Sequence, residues 1–252
     1  MANLSPMTPP RKAAGQAEVR RRRPREQTRE MLLLEAEAIL LAGLEQGDDV
    51  VNPLAGIRVT DVLASLNAKR EAGEAPMTTG AAYQIWPSQT EFQDELLERI
   101  MHGVALPWLD EVRAAARAAM DQGVAMRDVL ISLGQGDADP RVQAELSLAL
   151  GLTALVAPER VRAAEEEANA QYLREFGAVL AEIIEYGGRK LAPGVAMSDV
   201  VWAVEAHAAG MNLRGRSHPE VVARTDRQGQ RLSSWALASM VEGFTVEQRS
   251  RK

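Results

Sequence analysis

The sequence predicts an all-α protein, and three observations predict it. Ala and Leu dominate the apolar set, while aromatics are only 4% of the 252 residues. Strands favour β-branched and aromatic side chains, so this balance favours helices. Apolar residues recur at three- and four-residue spacing in one stretch after another, and no stretch reads as a confident strand. The punctuation is helical too. Ser88 stands three residues before Glu91, Pro140 follows Asp139, and Gly187-Gly188 close a long periodic run.

The elements follow in order. Residues 1–24 hold four prolines and "RRRRP" without apolar periodicity, which predicts a flexible arm. In "REQTREMLLLEAEAILLAGLEQG", Leu32, Leu33, Ala36, Ile39, Leu40, Gly43 and Leu44 form one apolar stripe, with Gly47 as a stop. "DDVVNPLAGI" reads as a loop. A second helix is expected over about residues 60–72, capped by Thr60, with Val59, Val62, Leu63 and Leu66 inward. Gly73 to Pro76 break it. Thr78 or Thr79 then caps a helix of about two turns that ends near Trp86, because Pro87 stops it. Ser88-Gln89-Thr90-Glu91 has capping-box spacing and starts the next helix, with Phe92, Leu96, Ile100 and Val104 inward and a break near Pro107. Further helices are expected to about Met120, over "AMRDVLISLG", from Pro140 to about Val156, and from Pro158 to about Tyr186. The last two are expected over about 198–213, capped by Ser198, and 230–244. "RSHPEVVARTDRQGQ" between them reads as a loop with room for a helical turn.

Charge is divided unevenly. Residues 1–25 carry seven Lys/Arg and one acid, and the rest of the chain carries 22 basic and 34 acidic residues. A basic arm on an acidic body suits contact with a polyanion. With no cysteine, disulfides and thiolate chemistry are excluded. The longest uncharged stretch, Leu146 to Pro158, is shorter than the roughly 20 residues of a membrane span. No secretory signal is visible, so a cytoplasmic protein without membrane contact is expected. His102, His207 and His218 lie far apart without metal-ligand spacing. Phosphate loops, nucleophile elbows and zinc signatures are missing, so neither an enzyme nor a cofactor or metal is expected. Glu165-Glu166-Glu167 reads as a solvated helix face.

The stretch "MTTGAAYQIWPSQTEFQDELL" resembles the signature of the tetracycline-repressor (TetR) family of transcription regulators. Thr78, Gly80, Ala81, Tyr83, Trp86, Ser88 and Leu96 fit its pattern, while Ile85 and Gln89 stand at its His and Lys positions. The basic arm and the first amphipathic helix, residues 20–46, fit as well. The resemblance implies an arm at 1–24, a three-helix helix-turn-helix DNA-binding domain at 25–102, and a helical ligand-binding and dimerisation domain at 103–252. It implies a homodimer on a double-stranded DNA operator, most simply a repressor that a small-molecule effector releases. The role of Tyr83, a phosphate contact, is carried over from the family.

The chemistry of the residues agrees. Gly80, Ala81 and Ala82 are small enough for close backbone approach to DNA. Thr78 and Thr79 offer hydroxyls to phosphates or base edges, and Gln84 offers an amide that suits adenine. Thr60, Gln89 and the arm residues Arg20, Arg21, Arg22 and Arg23 complete the expected DNA contacts, with Lys69 and Arg70 near them. Residues 26–102 hold five basic and fourteen acidic side chains, so the arm must carry much of the affinity. A ligand pocket is expected among Met101, His102, Trp108, Met120, Leu150, Tyr172 and Phe176. The dimer interface is expected on the last two helices, with Val201, Trp202, Val204, Leu232, Trp235, Leu237 and Met240. The neutral recognition segment also suits a second reading, a TetR-fold ligand- or partner-binding module that has lost operator reading.

Overall fold

The computed structural model of the chain describes residues 23–46, 52–71, 74–105, 108–134 and 140–248. Arg20, Arg21, Arg22 and most of the expected arm lie outside them, as does Pro107. The chain is mostly helical. In the first part, α1 covers Arg25–Gln46, α2 Pro53–Gly56, α3 Val59–Ala68, α4 Thr79–Tyr83 and α5 Gln89–Ala105. Then come α6, Leu109–Asp121, α7, Met126–Leu133, α8, Pro140–Leu155, and α9, Pro158–Tyr186. The chain closes with α10, Met197–Ser217, α11, Pro219–Val222, and α12, Leu232–Gly243. No described helix is long and apolar enough to cross a membrane.

Local chemistry explains where the elements differ from expectation. The expected loop before α3 contains α2, because the Asn52 side chain accepts from the Ala55 amide and Pro53 takes the first helical position. Thr60 does not cap α3. Arg58 takes that place without a side-chain bond, and α3 stops at Ala68. Nor does Ser198 cap α10, which begins one residue earlier, with Asp199 accepting from the Ala196 amide at 2.8 Å. Ser88 does act as expected, accepting from the Glu91 amide at 3.2 Å.

A two-stranded antiparallel sheet is the largest departure. β1, Arg189–Leu191, pairs with β2, Thr245–Glu247. Three residues are too few for a two-residue period to show. Gly188 supplies the left-handed turn, φ 64°, between α9 and β1. Arg189 then fixes the pair, donating from Nε to Thr245 Oγ1 at 2.7 Å and from Nη2 to Thr245 O at 2.9 Å.

Two cores organise the helices. The first gathers Leu32, Ala36, Val62, Phe92, Leu96 and Ile100 from α1, α3 and α5, and it recruits Leu148 and Leu152 of α8 and Val161 of α9. The second gathers Val129 and Leu130 of α7, Leu180 and Ile183 of α9, Val200 and Val201 of α10, and Val241 of α12. The long helix α9 takes part in both. Apolar burial of these side chains is the main stabilising term, about 1.5–3 kcal/mol for each large one. Charges add specific ties between α1 and α5. Arg29 meets Glu95 at 2.6 Å, and Arg99 meets Glu30 and Glu37, each at 3.0 Å.

Candidate functional site

Two places hold the expected site residues. The first is the surface made by α4 and its surroundings. Thr78 caps α4, accepting from the Ala81 amide at 3.3 Å. The far side of α4 is anchored: Ala82, Ile85 and Trp86 are all buried. Trp86 packs edge-on against Phe92 with centroids 5.0 Å apart, and its Nε1 donates to Glu95 Oε2 at 2.7 Å. The near side is open. Thr78, Thr79, Gly80 and Gln84 are exposed, Ala81 is half-buried, and Tyr83 is 46% exposed despite its large ring. A Cβ added at Gly80 would meet only Thr78 Oγ1, at 3.9 Å.

The neighbours of this surface are fixed by polar clamps. Asn67 holds Met77 at both backbone groups, accepting from its amide at 2.8 Å and donating to its carbonyl at 2.9 Å. This pins the segment leading into α4 to the end of α3. Gln89 is used similarly: it donates to Ile57 O at 2.9 Å and accepts from the Val59 amide at 3.2 Å. Its amide therefore ties the start of α5 to the start of α3. Thr60 and Arg58 are exposed at the start of α3, and Arg70 lies exposed just after its end. Arg23 is half-buried, and Arg25 beside it donates to Ile85 O at 3.3 Å. Lys69 is exposed and pairs at 2.6 Å with the buried Glu35 carboxylate, which also accepts from Ser65 at 2.5 Å.

The second place is a cavity of about 360 Å³ at the seam of the two cores. Five residues named from the sequence line it: Met101, Trp108, Leu150, Tyr172 and Phe176. Tyr172 and Phe176 stack, with centroids 5.4 Å apart and planes at 18°, and Trp108 stands edge-on to both. The other two lie elsewhere. His102 is on a separate charged cleft with Arg29, Glu30 and Arg99, and Met120 packs against the second core. Trp202, expected at a dimer interface, also reaches the cavity and is 44% exposed.

Sequence reading missed the polar part of this cavity. Glu165 of α9 and Glu205 of α10 line it, together with Asn169. Glu166 and Glu167 are exposed, so the expected solvated face holds for them but not for Glu165. The one signal in the sequence was helical phase: Glu165, Ala168, Tyr172 and Phe176 share the three- and four-residue spacing of a single α9 face. Burial pushes the Glu205 carboxyl up, and Glu165 pushes it further. Burial likewise raises Glu165, with Arg162 opposing, and raises the Tyr172 hydroxyl. Glu205 Oε2 is buried without a hydrogen-bond partner among the described residues.

At the far end of the chain, Val201 and Val204 are buried within the second core. They face their own chain, not a partner. Trp202, Leu232 and Trp235 remain exposed, Met240 is half-buried, and the Arg127 guanidinium lies 4.8 Å over the Trp235 ring. Among the described residues, no group of three or more His, Asp or Glu side chains could hold a metal ion. No family model matches the chain, and no curated protein matches it either.

Proposed function

We propose that the chain is a TetR-like transcription regulator: a homodimer that binds a DNA operator and is released from it by a small molecule. The observation that carries this reading is the two-sided build of α4. Hydroxyls, a glycine, a tyrosine and an amide face solvent on a helix whose back is locked by Ala82, Ile85 and Trp86. An exposed Tyr ring and an open Gly80 on a rigid platform suit close approach to a phosphate backbone and groove. In this reading α3 and α4 form the helix-turn-helix, and Arg58, Arg70 and the basic arm supply positive charge.

The position of α5 supports the regulatory half. Its first residue, Gln89, clamps the start of α3, and its Met101 lines the cavity. Its 17 residues form a rod about 25 Å long. A ligand that changes the seam would move the platform of α4 through this rod. For release, the ligand must bind the DNA-free arrangement better than the DNA-bound one. Exposed Trp202, Leu232 and Trp235 on α10 and α12 are the surface for the dimer.

A second reading is favoured by charge: a TetR-fold module that binds a ligand or partner without reading DNA. From Pro76 to Thr90 the chain has no charged residue, and residues 26–102 hold five basic against fourteen acidic side chains. A titration of the full chain against DNA from its own upstream region separates the readings, run at low and physiological salt with unrelated duplex as competitor. Selective binding with a steep salt slope supports the regulator. Binding no better than to competitor, with no site recovered by genome-wide selection, supports the module.

A further inference from the structure

We propose that the cavity at the core seam takes a lipophilic cation, an apolar molecule bearing a protonated or quaternary amine, with Glu205 and Glu165 as its counter-charges. This deepens the effector half of the proposed function and rests on the cavity being the effector site.

The lining sets this preference. Most of it is apolar: Met101, Val112, Leu146, Leu150, Leu180 and Val204. Three aromatic rings, Trp108, Tyr172 and Phe176, are packed on one another beside it. Two carboxylates enter this lining, and no Lys, Arg or His among the described residues lines it with them. One carboxylate oxygen, Glu205 Oε2, has no donor among the described residues. A buried carboxylate without a partner is costly, and a cation beside it or a proton on it relieves that cost. Aromatic faces add attraction for a cation within about 6 Å of a ring.

Other ligand classes fit worse. An anion would face two carboxylates and no base. A neutral apolar molecule would fill the space and leave the Glu205 carboxylate without a counter-charge. The volume, about 360 Å³, suits a ligand of modest size. The raised carboxyls agree with this arrangement, since without a counter-ion they hold protons more readily than exposed carboxyls do.

The groups that bear on Glu205 are few. From α9 they are Glu165 and the Tyr172 hydroxyl, with Arg162 acting on Glu165. The described lining residues of α5, α6, α7, α8 and α12 carry no charge.

The test uses three probes of similar shape on the full chain without DNA: phenyltrimethylammonium, its neutral isostere tert-butylbenzene, and the anion 4-tert-butylbenzoate. Binding is followed by calorimetry and by the fluorescence of the tryptophans, two of which, Trp108 and Trp202, line the cavity. The cation is expected to bind at least about tenfold more tightly than the isostere, and the anion not measurably. Glu205→Gln is expected to remove most of that preference while leaving tert-butylbenzene binding unchanged, and Glu165→Gln to reduce it by a smaller factor. Equal or tighter binding of the neutral or anionic probe, no binding of any probe, or an unchanged preference in a folded Glu205→Gln protein would overturn the proposal. The DNA titration tests the regulator independently. Cation binding without DNA binding sinks the regulator and keeps this inference. DNA release by the neutral probe alone does the reverse.

Discussion

The α4 surface and the seam cavity use polarity in opposite ways. At α4 the exposed face is polar but uncharged, and from Pro76 to Thr90 no side chain carries a charge. In the cavity the surroundings are apolar, and two carboxylates stand among them. Charge on an exposed face is screened by water and salt, so its absence there costs little shape and much long-range attraction. Charge in an apolar cavity is felt strongly, so two carboxylates suffice to choose a ligand class. In the proposed function the two regions therefore have different tasks: α4 would offer fit without affinity, and the cavity affinity that depends on charge.

If α4 supplies fit alone, most of the affinity for DNA has to come from residues 1–24, and deleting them is the largest expected effect. The deletion removes six Lys/Arg and one acid. Affinity for the operator should fall by about 10³-fold at physiological salt, and the slope of log K against log salt should flatten. Anisotropy titrations across a salt series measure both. Unchanged binding would mean that Arg58, Arg70 or an unrecognised surface carries the charge, and the division of tasks would then fail on the DNA side. Cation binding in the cavity should not change.

The next largest effect removes the support under α4. Phe92 is fully buried and meets Trp86 edge-on. Phe92→Ala should cost about 3–5 kcal/mol of stability, the usual range for such a truncation. Denaturant unfolding measures it. A loss below about 1 kcal/mol would show that the first core collapses around the gap and that α4 is less firmly braced than its packing implies.

A third effect concerns pH and belongs to the cavity alone. The Glu205 and Glu165 carboxyls are raised by burial, so the empty cavity favours their neutral forms. A cation needs them ionised. Its affinity should therefore fall as pH drops through the raised carboxyl range, and level off above it. The empty protein behaves oppositely. A folded-state pKa above the ordinary value of 4.5 means that stability is lost as pH rises from there through the folded pKa. Glu205→Gln should then melt higher than the parent near neutral pH, with the gap closing in acid. Parallel melts of both proteins across pH check this, and a lower melting temperature for Glu205→Gln near neutrality would contradict it.

How much of this was legible in the sequence follows from the range of the interactions involved. Capping at Thr78 and Ser88, and the inward face Phe92, Leu96 and Ile100, depend on neighbours within four residues, and periodicity exposes them. Five cavity residues were also readable, because bulky side chains on the inner faces of α5, α8 and α9, with Trp108 before α6, converge on one place. Gln89 was not. Its partners, Ile57 and Val59, are thirty or more residues away, and only the fold makes it a clamp. Glu205 was missed for the same reason: an acid in an Ala-rich helix looks solvated until α9 is laid against it. The strand pair β1–β2 joins two three-residue segments from distant parts of the chain, which no local pattern predicts. Val201 and Val204 carry the opposite lesson: their spacing shows an apolar face but not which neighbour covers it.

The smallest effect is the sharpest on α4 itself. Tyr83 is 46% exposed, while Ala82 beside it is buried. Replacing Tyr83 by Phe removes one hydroxyl and leaves the ring. Stability should change by less than about 0.5 kcal/mol, as for exposed positions generally. If the hydroxyl donates to a phosphate, operator affinity should drop by a few fold, and by the same factor on unrelated duplex, because a phosphate contact carries no sequence information. A loss confined to the operator would place the hydroxyl on a base edge. No loss on either duplex would leave Tyr83 as an exposed ring without a polar role, and would shift weight to Thr78, Thr79 and Gln84. The ratio between operator and competitor is thus the informative quantity, since it separates positioning from reading at a single atom.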